Sequence, residues 1–393
     1  MKNKLIMCAQ VLVSVAILAY LFNSIFEGQA ADKLKPLVTG DSAAVLQLGL
    51  RPNQIEAIRT HCVTTGDQAG INLKVLPLSQ RLPIIWGIGP VVLGTVFRTI
   101  RLEWFFLAVL CVGVVCILGT IRWQLILRVQ GLDLKFSRAM SIVFVGMFFN
   151  AFLLGSTGGD VIKAWYVAHE TNHKKAEAVI TVIVDRLIGL LVLFVIALVM
   201  MGIFYQRVFE DNRLIGFSIF TLVVVVTTVV VTILGFWKGF ADKFPGLRAW
   251  LKKLPKYDML ERMVNAYRVY VSHPGVLAKT VLQSVGVHFL SMLAIVCVAR
   301  GLNIITENGL VDYFLYLPIV NSLSAVPISF SGFGVREGMY VSMFAQVNML
   351  PVQALSLSLL GYMATLVWSL VGGVFFLMHR KDIPTATQIE TAE

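Results

Sequence analysis

Long apolar stretches separated by short polar links set the plan of this chain. A hydrocarbon layer about 30 Å thick needs roughly 20 apolar residues at helical rise. Six stretches meet that length: 5–26, 104–127, 178–204, 214–237, 276–299 and 352–378. They predict an all-α, polytopic helical membrane protein with about six full spans. Two shorter apolar stretches, 139–155 and 310–327, run into polar, glycine-rich breaks, NAFLLGSTGGD at 150–160 and NSLSAVPISFSGFGVRE at 321–337. Helix-breaking backbone at membrane depth survives only where protein or a wet cavity surrounds it. A matched pair in two halves of a chain therefore points to a transport-type site at a repeat interface.

Composition agrees with this class: 57% of residues are apolar, 14% are charged and the mean hydropathy is +0.80, far from soluble averages. The net charge of +11 does not argue for nucleic acid, because Lys and Arg gather beside the spans, where they set orientation and meet anionic lipid. Of the five cysteines, Cys8, Cys111, Cys116 and Cys297 lie in apolar segments and Cys62 in a polar one. That spacing supports neither a disulfide framework nor a zinc site, so no metal or other cofactor is expected.

Charge also assigns the sides of the membrane. Lys2 and Lys4 place the N-terminus in the cytoplasm, with 1–26 as an uncleaved anchor whose apolar run exceeds a signal-peptide core. Arg128, Lys135 and Arg138 follow the second span, and 238–268 carries eight basic residues against three acidic ones. Both belong inside, as do Arg380 and Lys381, which bring the C-terminus back to the cytoplasm. To keep this parity, 139–169 must enter and leave on the inner side and 310–350 on the outer side. These are two re-entrant hairpins dipping from opposite faces, the arrangement of an inverted repeat; pairs of short, tilted crossings are the alternative with the same end orientation. The expected organisation is an anchor span at 1–26, an extracytoplasmic insert at 27–103 with an interfacial helix over 82–97, a transmembrane domain at 104–379 with a basic cytoplasmic loop at 238–275, and a disordered tail at 380–393. Amphipathic 238–268 suits an anionic leaflet.

Candidate site residues cluster at the breaks. In the first, Asn150, Ser156, Gly158 and Gly159 form a turn whose bare backbone can approach a ligand. Asp160 and Lys163 follow at a helix start, which favours phosphate or carboxylate. A plain capped turn, with Asp160 as N-cap, is the structural alternative; Asp160 at i−3 would then also be the partner of Lys163. In the second break, Asn321, Ser331, Gly332 and Gly334 precede Arg336 and Glu337. Arg336 can grip a phosphodiester bidentately, while Glu337 can hold that side chain or receive an amine. Asp185 and Arg186 lie too deep in their span to be loop charges; they suit either function or an ion pair to the opposite hairpin. Arg122 and Trp123 read as interface anchors, and His288 as a packing residue. No nucleotide-binding, hydrolase or metalloprotease motif is present, so no catalytic residue is assigned.

The chain resembles the lysylphosphatidylglycerol synthase transmembrane family, also called flippase-like domain proteins. The resemblance rests on Arg122-Trp123, the N…GGD…K run from Asn150 to Lys163, DRLIGL at 185–190 and SGFGVREG at 331–338. It covers most of the chain from about residue 100 onward, plus the N-terminal span. It implies a bacterial or archaeal inner-membrane protein, and the best understood relatives of this kind move aminoacylated phosphatidylglycerol between leaflets. Bifunctional members carry a soluble synthase domain after the membrane region, whereas this chain ends within fifteen residues of its last span, so lysyl transfer is not expected. The 27–80 insert aligns with nothing in the family pattern.

Together these readings predict a lipid translocase for a polar or anionic headgroup, acting on anionic phospholipid or a lipid-linked substrate without a cofactor. A non-transporting membrane partner of a glycosyltransferase or lipid-modifying enzyme is the rival, and an intramembrane transferase with Asp185 or Glu337 as base is a third reading.

Overall fold

The computed structural model describes residues 2–37, 48, 50–64, 70–152, 158–170, 174–236, 268–325 and 332–378. Ser156, Ser331, almost all of the basic 238–268 stretch and the C-terminal tail lie outside these residues. The described chain is helical apart from one two-residue ladder, and it is the polytopic all-α architecture that the apolar stretches predict. Helix α1 (Lys2–Leu34) is followed by α2 (Pro52–His61), the β1 (Val63–Thr64) and β2 (Gly70–Ile71) pair, and α3 (Leu78–Arg98). Then come α4 (Leu102–Val129), α5 (Phe136–Phe152), α6 (Gly158–Glu170) and α7 (Lys175–Ile203). After short α8 (Tyr205–Glu210) and long α9 (Asn212–Phe236), the chain continues through α10 (Pro274–Gly301), α11 (Leu310–Ser324), α12 (Val335–Phe344) and α13 (Pro351–Met378).

The packing is internally symmetric. Helix α4 lies against α10 as the most extensive contact, and they run antiparallel: Arg101 N–H donates to the Gly301 carbonyl at one end, and the Tyr270 hydroxyl donates to the Ile126 carbonyl at the other. Around this pair, the contacts among α4, α5, α6 and α7 have counterparts among α10, α11, α12 and α13. Helix α5 packs on α6 as α11 packs on α12; α6 on α7 as α12 on α13; and α4 on α7 as α10 on α13. Across the halves, α5 meets α13 and α11 meets α7. An antiparallel central pair with exchanged partners is what an inverted repeat produces.

Polar contacts identify the two ends of the bundle. At one end, Lys174 Nζ donates to the Gln130 carbonyl and Arg138 pairs with Glu170, closing the base of the α5–α6 hairpin. At the other, Arg207 pairs with the fully buried Asp312 at 2.7 Å, and Asn348 donates to Glu307 across the base of α11–α12. The two hairpins thus open toward opposite ends.

Seven helices among the described residues, rather than the expected six, are long and apolar enough to cross a membrane; the addition is α3. Its contacts show that it does not traverse the bundle. A side chain at Gly334 would meet Ile17 and Ser14 of α1, and one at Gly338 would meet Leu21, so α1 and α12 run parallel in step. Glu27, six residues beyond Leu21 or ~9 Å at helical rise, therefore sits level with the end of α12. Arg81 near the start of α3 lies 3.9 Å from Glu27, and the end of α3 adjoins Arg101 beside Gly301. Both ends of α3 lie at the same end of the bundle. The proline pair Pro83 and Pro90 inside it removes two backbone donors.

The described residues before α4 have a core of their own. Ile25, Phe26, Ile58, Leu73, Ile84, Ile85 and Ile88 form a separate apolar core that reaches Val352 and Leu355 at the start of α13. Cys62 is buried in it, and that burial pushes its thiol pKa up, which keeps it protonated and unreactive.

Candidate functional site

Charged residues from both hairpins line one cavity of about 590 Å³ at the centre of the symmetric bundle. Lys163 of α6, Asp185 and Arg186 of α7, Asn321 of α11 and Arg336 of α12 all face it, joined by Arg122 of α4. Apolar walls from α4, α5, α10 and α13 surround these groups. Apolar walls with a few convergent charges are the usual constitution of a ligand site.

On the α6 side, Asp185 is the hub. Its Oδ1 accepts from Arg122 Nε at 2.9 Å and its Oδ2 from Lys163 Nζ at 3.3 Å, and all three residues are at least nine-tenths buried. Arg122 Nη1 also donates to Ser284 at 2.9 Å. The Lys163 ammonium stands 3.9 Å from the centroid of the Trp123 ring, a contact that strengthens when desolvated. The partner of Lys163 is therefore Asp185 on the next helix rather than Asp160 in its own turn. Asp160 instead pairs with Arg186 at 2.8 Å, so Arg186 reaches back to the first hairpin rather than across to the second. The start of α6 is capped from outside: Asn150 Oδ1 accepts from Gly159 N–H at 2.8 Å.

On the α12 side, Glu337 is fully buried and holds Arg336. Its Oε1 accepts from Arg336 Nη2 at 2.6 Å, Arg336 Nε at 3.0 Å and Ser358 at 3.2 Å, while its Oε2 accepts from Gly334 N–H at 2.7 Å. The guanidinium also lies over Tyr362 at 4.6 Å and Phe333 at 5.2 Å. Pinned by its Nε and Nη2 edge, Arg336 is presented to the cavity on which it lines up with Asn321.

The glycines set close packing and backbone turns. Among the described residues, Gly158, Gly159, Gly332 and Gly334 are not in the cavity lining. A methyl at Gly159 would overlap the Gly146 carbonyl oxygen, so this glycine lets α6 close on α5, with Gly158 opening the helix before it. Gly334 has φ +83° and Gly332 φ +77°, a region glycine enters without penalty, and Gly334 also abuts Ile17 and Ser14 of α1.

Arg122 and Trp123 are corrected as well: both are buried, Trp123 completely. The signal for Arg122 was its place inside an unbroken apolar stretch, where an intramembrane cation faces the protein interior. Tyr340, Ser358 and Tyr362, which also face the cavity, carry no comparable mark in the sequence. His288 Nε2 donates to the Gly189 carbonyl of α7 at 2.9 Å and is not among the residues that line the cavity.

Residues 78–373, well over half of the chain, match the family described as the lysylphosphatidylglycerol synthase TM region. The chain belongs to this family. A UPF0104 membrane protein of Methanocaldococcus jannaschii is 20% identical over 297 residues, covering 72% of this chain and 86% of that protein. A UPF0104 membrane protein of Pyrococcus horikoshii is 23% identical over 178 residues, 43% of this chain and 51% of its own length, so the chain spans about half of that relative. The family match begins at the first residue of α3. It encloses every residue of the cavity and leaves α1, α2 and the β1–β2 ladder outside.

Proposed function

We propose that this protein is a lipid translocase, in which the α5–α6 and α11–α12 hairpins are re-entrant from opposite leaflets and a polar headgroup passes through the cavity between them while its acyl chains stay in lipid. The observation that carries this reading is the convergence of Lys163 and Arg336, drawn from two hairpins based at opposite ends of the bundle, on one cavity beside Arg122 and Arg186. Arg336 and Lys163 would bind the phosphate, because both are held by a carboxylate partner and an aromatic face rather than left to swing. Such preorganisation reduces the cost of ordering them on binding.

The basic residues Arg128, Lys135, Arg138 and Lys174 gather at the end closed by Arg138 and Glu170. By the positive-inside rule that end faces the cytoplasm, with both termini, in the cell's inner membrane. The test is leaflet-resolved movement of a labelled phospholipid in liposomes bearing the full chain. Arg336→Ala and Lys163→Ala are each expected to slow it at least tenfold. Unchanged movement in both variants removes the site.

A second reading has its own observation. The core formed by α1, α2 and α3 lies at the outer end and mostly before the family match, which suits a platform for a membrane enzyme that modifies lipids or transfers sugars. A stably co-purifying enzyme together with no lipid movement by the purified chain would favour it.

A further inference from the structure

A second cavity, of about 700 Å³, lies apart from the symmetric bundle, between the first turns of α2 and α3. It is larger than the central one and within the size range of small-molecule sites. Arg81, beside the lining residue Gln80, pairs with Glu27, so the cavity stands at the end of the bundle opposite the Arg138–Glu170 pair, the outer end.

The floor is apolar and fixed. Leu76 and Ile84 belong to the core under α2 and α3 and are 5% and 1% exposed, with Ala57 beside them. The wall is polar, with Arg51, Asn53 and Gln54 on the α2 side and Ser79 and Gln80 on the α3 side. A plain solvated surface sends its polar side chains apart, whereas these come from two helices and border one space.

Among the described residues, the Arg51 guanidinium and the side chains of Asn53, Ser79 and Gln80 make no hydrogen bond or ion pair. Gln54 is held at one end, because its Oε1 accepts from the Arg51 N–H at 2.9 Å; its amide N–H groups are then the donors it offers the cavity. Arg51 is the one charge in the lining, and no acid lies in the lining or in the first turn of either helix. A guanidinium fork matches phosphate or carboxylate bidentately. Carboxamides and a hydroxyl both donate and accept, which is what alcohol groups require. A cation would find no carboxylate here, and an apolar ligand would take water from five polar residues without replacing its hydrogen bonds.

We propose that this cavity is a second binding site, for an acidic sugar or polyol: Arg51 takes a phosphate or carboxylate, and Asn53, Gln54, Ser79 and Gln80 bond to the hydroxyls beside it. The site does not depend on the translocase reading. Its α2 side precedes the family match and its α3 side opens it, so it forms where the segment outside the family pattern meets the family domain. A lipid headgroup of the outer leaflet and a soluble sugar acid both present this chemistry.

The test is a footprint at Ala57→Cys, in the full-length chain without its native cysteines, held in phosphatidylcholine nanodiscs and labelled with a membrane-impermeant maleimide. Glycerol phosphate and glucuronate are expected to slow labelling at least fivefold, and glucose not at all. Adding Arg51→Gln is expected to abolish the protection, whereas Lys74→Gln, at an exposed cation outside the lining, keeps it. Unchanged labelling rates without ligand show the cavity intact in each variant. Nanodiscs of phosphatidylglycerol tell the sources apart: protection there but by neither soluble probe assigns the site to a lipid headgroup, and protection by the soluble probes assigns it to a soluble acid. No protection in any arm, equal protection by glucose, or protection that survives Arg51→Gln overturns the proposal. Because the readout is local to residue 57, occupation of the central cavity does not enter it.

Discussion

Asp185 receives Arg122 through a 2.9 Å ion pair that joins two helices whose partners stand 63 residues apart in sequence. The same carboxylate holds Lys163 with its other oxygen, so one acid keeps two buried cations in place from two other helices. Breaking a buried pair by removing one partner is far more damaging than the pair is stabilising, since it strands the remaining charge.

Asp185→Ala is therefore expected to destabilise the folded protein by about 3–5 kcal/mol, seen as a lowered melting temperature in detergent. Asp185→Asn keeps an acceptor for Arg122 and should lose less. An unchanged melting temperature for Asp185→Ala would show that Arg122 and Lys163 find other counter-charges.

The close approaches of the first hairpin depend on missing side chains. A methyl at Gly159 would overlap the Gly146 carbonyl, and one at Gly372 the Phe144 carbonyl. Either alanine is expected to cost about 1–3 kcal/mol through overpacking. Gly119 faces open space, so Gly119→Ala should be neutral or gain up to ~1 kcal/mol from helix propensity. Thermal melts of the three variants side by side decide this, and equal losses in all three would contradict the packing described.

The path of α3 has a labelling consequence. Leu78 and Thr99 flank it and both are exposed. In a background free of native cysteines, Leu78→Cys and Thr99→Cys are expected to react with a membrane-impermeant maleimide from the same side, and Asp133→Cys from the opposite side. Labelling of Leu78→Cys and Thr99→Cys from opposite sides would make α3 a seventh crossing and invert the ends assigned to α1.

Hydropathy along the chain determined the class, the six long helices and the two broken ones, because burial of about 20 apolar residues per crossing is a local property of the chain. The paired glycine-rich breaks also marked where charge would be found, since irregular backbone in an apolar setting needs a polar or protein-filled surrounding. Only the tertiary structure decided which charges meet. Arg122 lies in a span that reads as a plain apolar helix with an anchor near its end, yet packing of α4 on α7 and α10 makes it the partner of Asp185 and Ser284. Lys163 had a suitable acid three residues away, but the packing of α6 on α7 pairs Asp160 with Arg186 and Lys163 with Asp185. Likewise α3 has the length of a crossing, and only its contacts with Glu27 near one end and the Arg101–Gly301 junction at the other lay both its ends at one end of the bundle. Length and hydropathy are sums over neighbours in sequence; ion pairing and helix path depend on neighbours in space, which no one-dimensional pattern specifies.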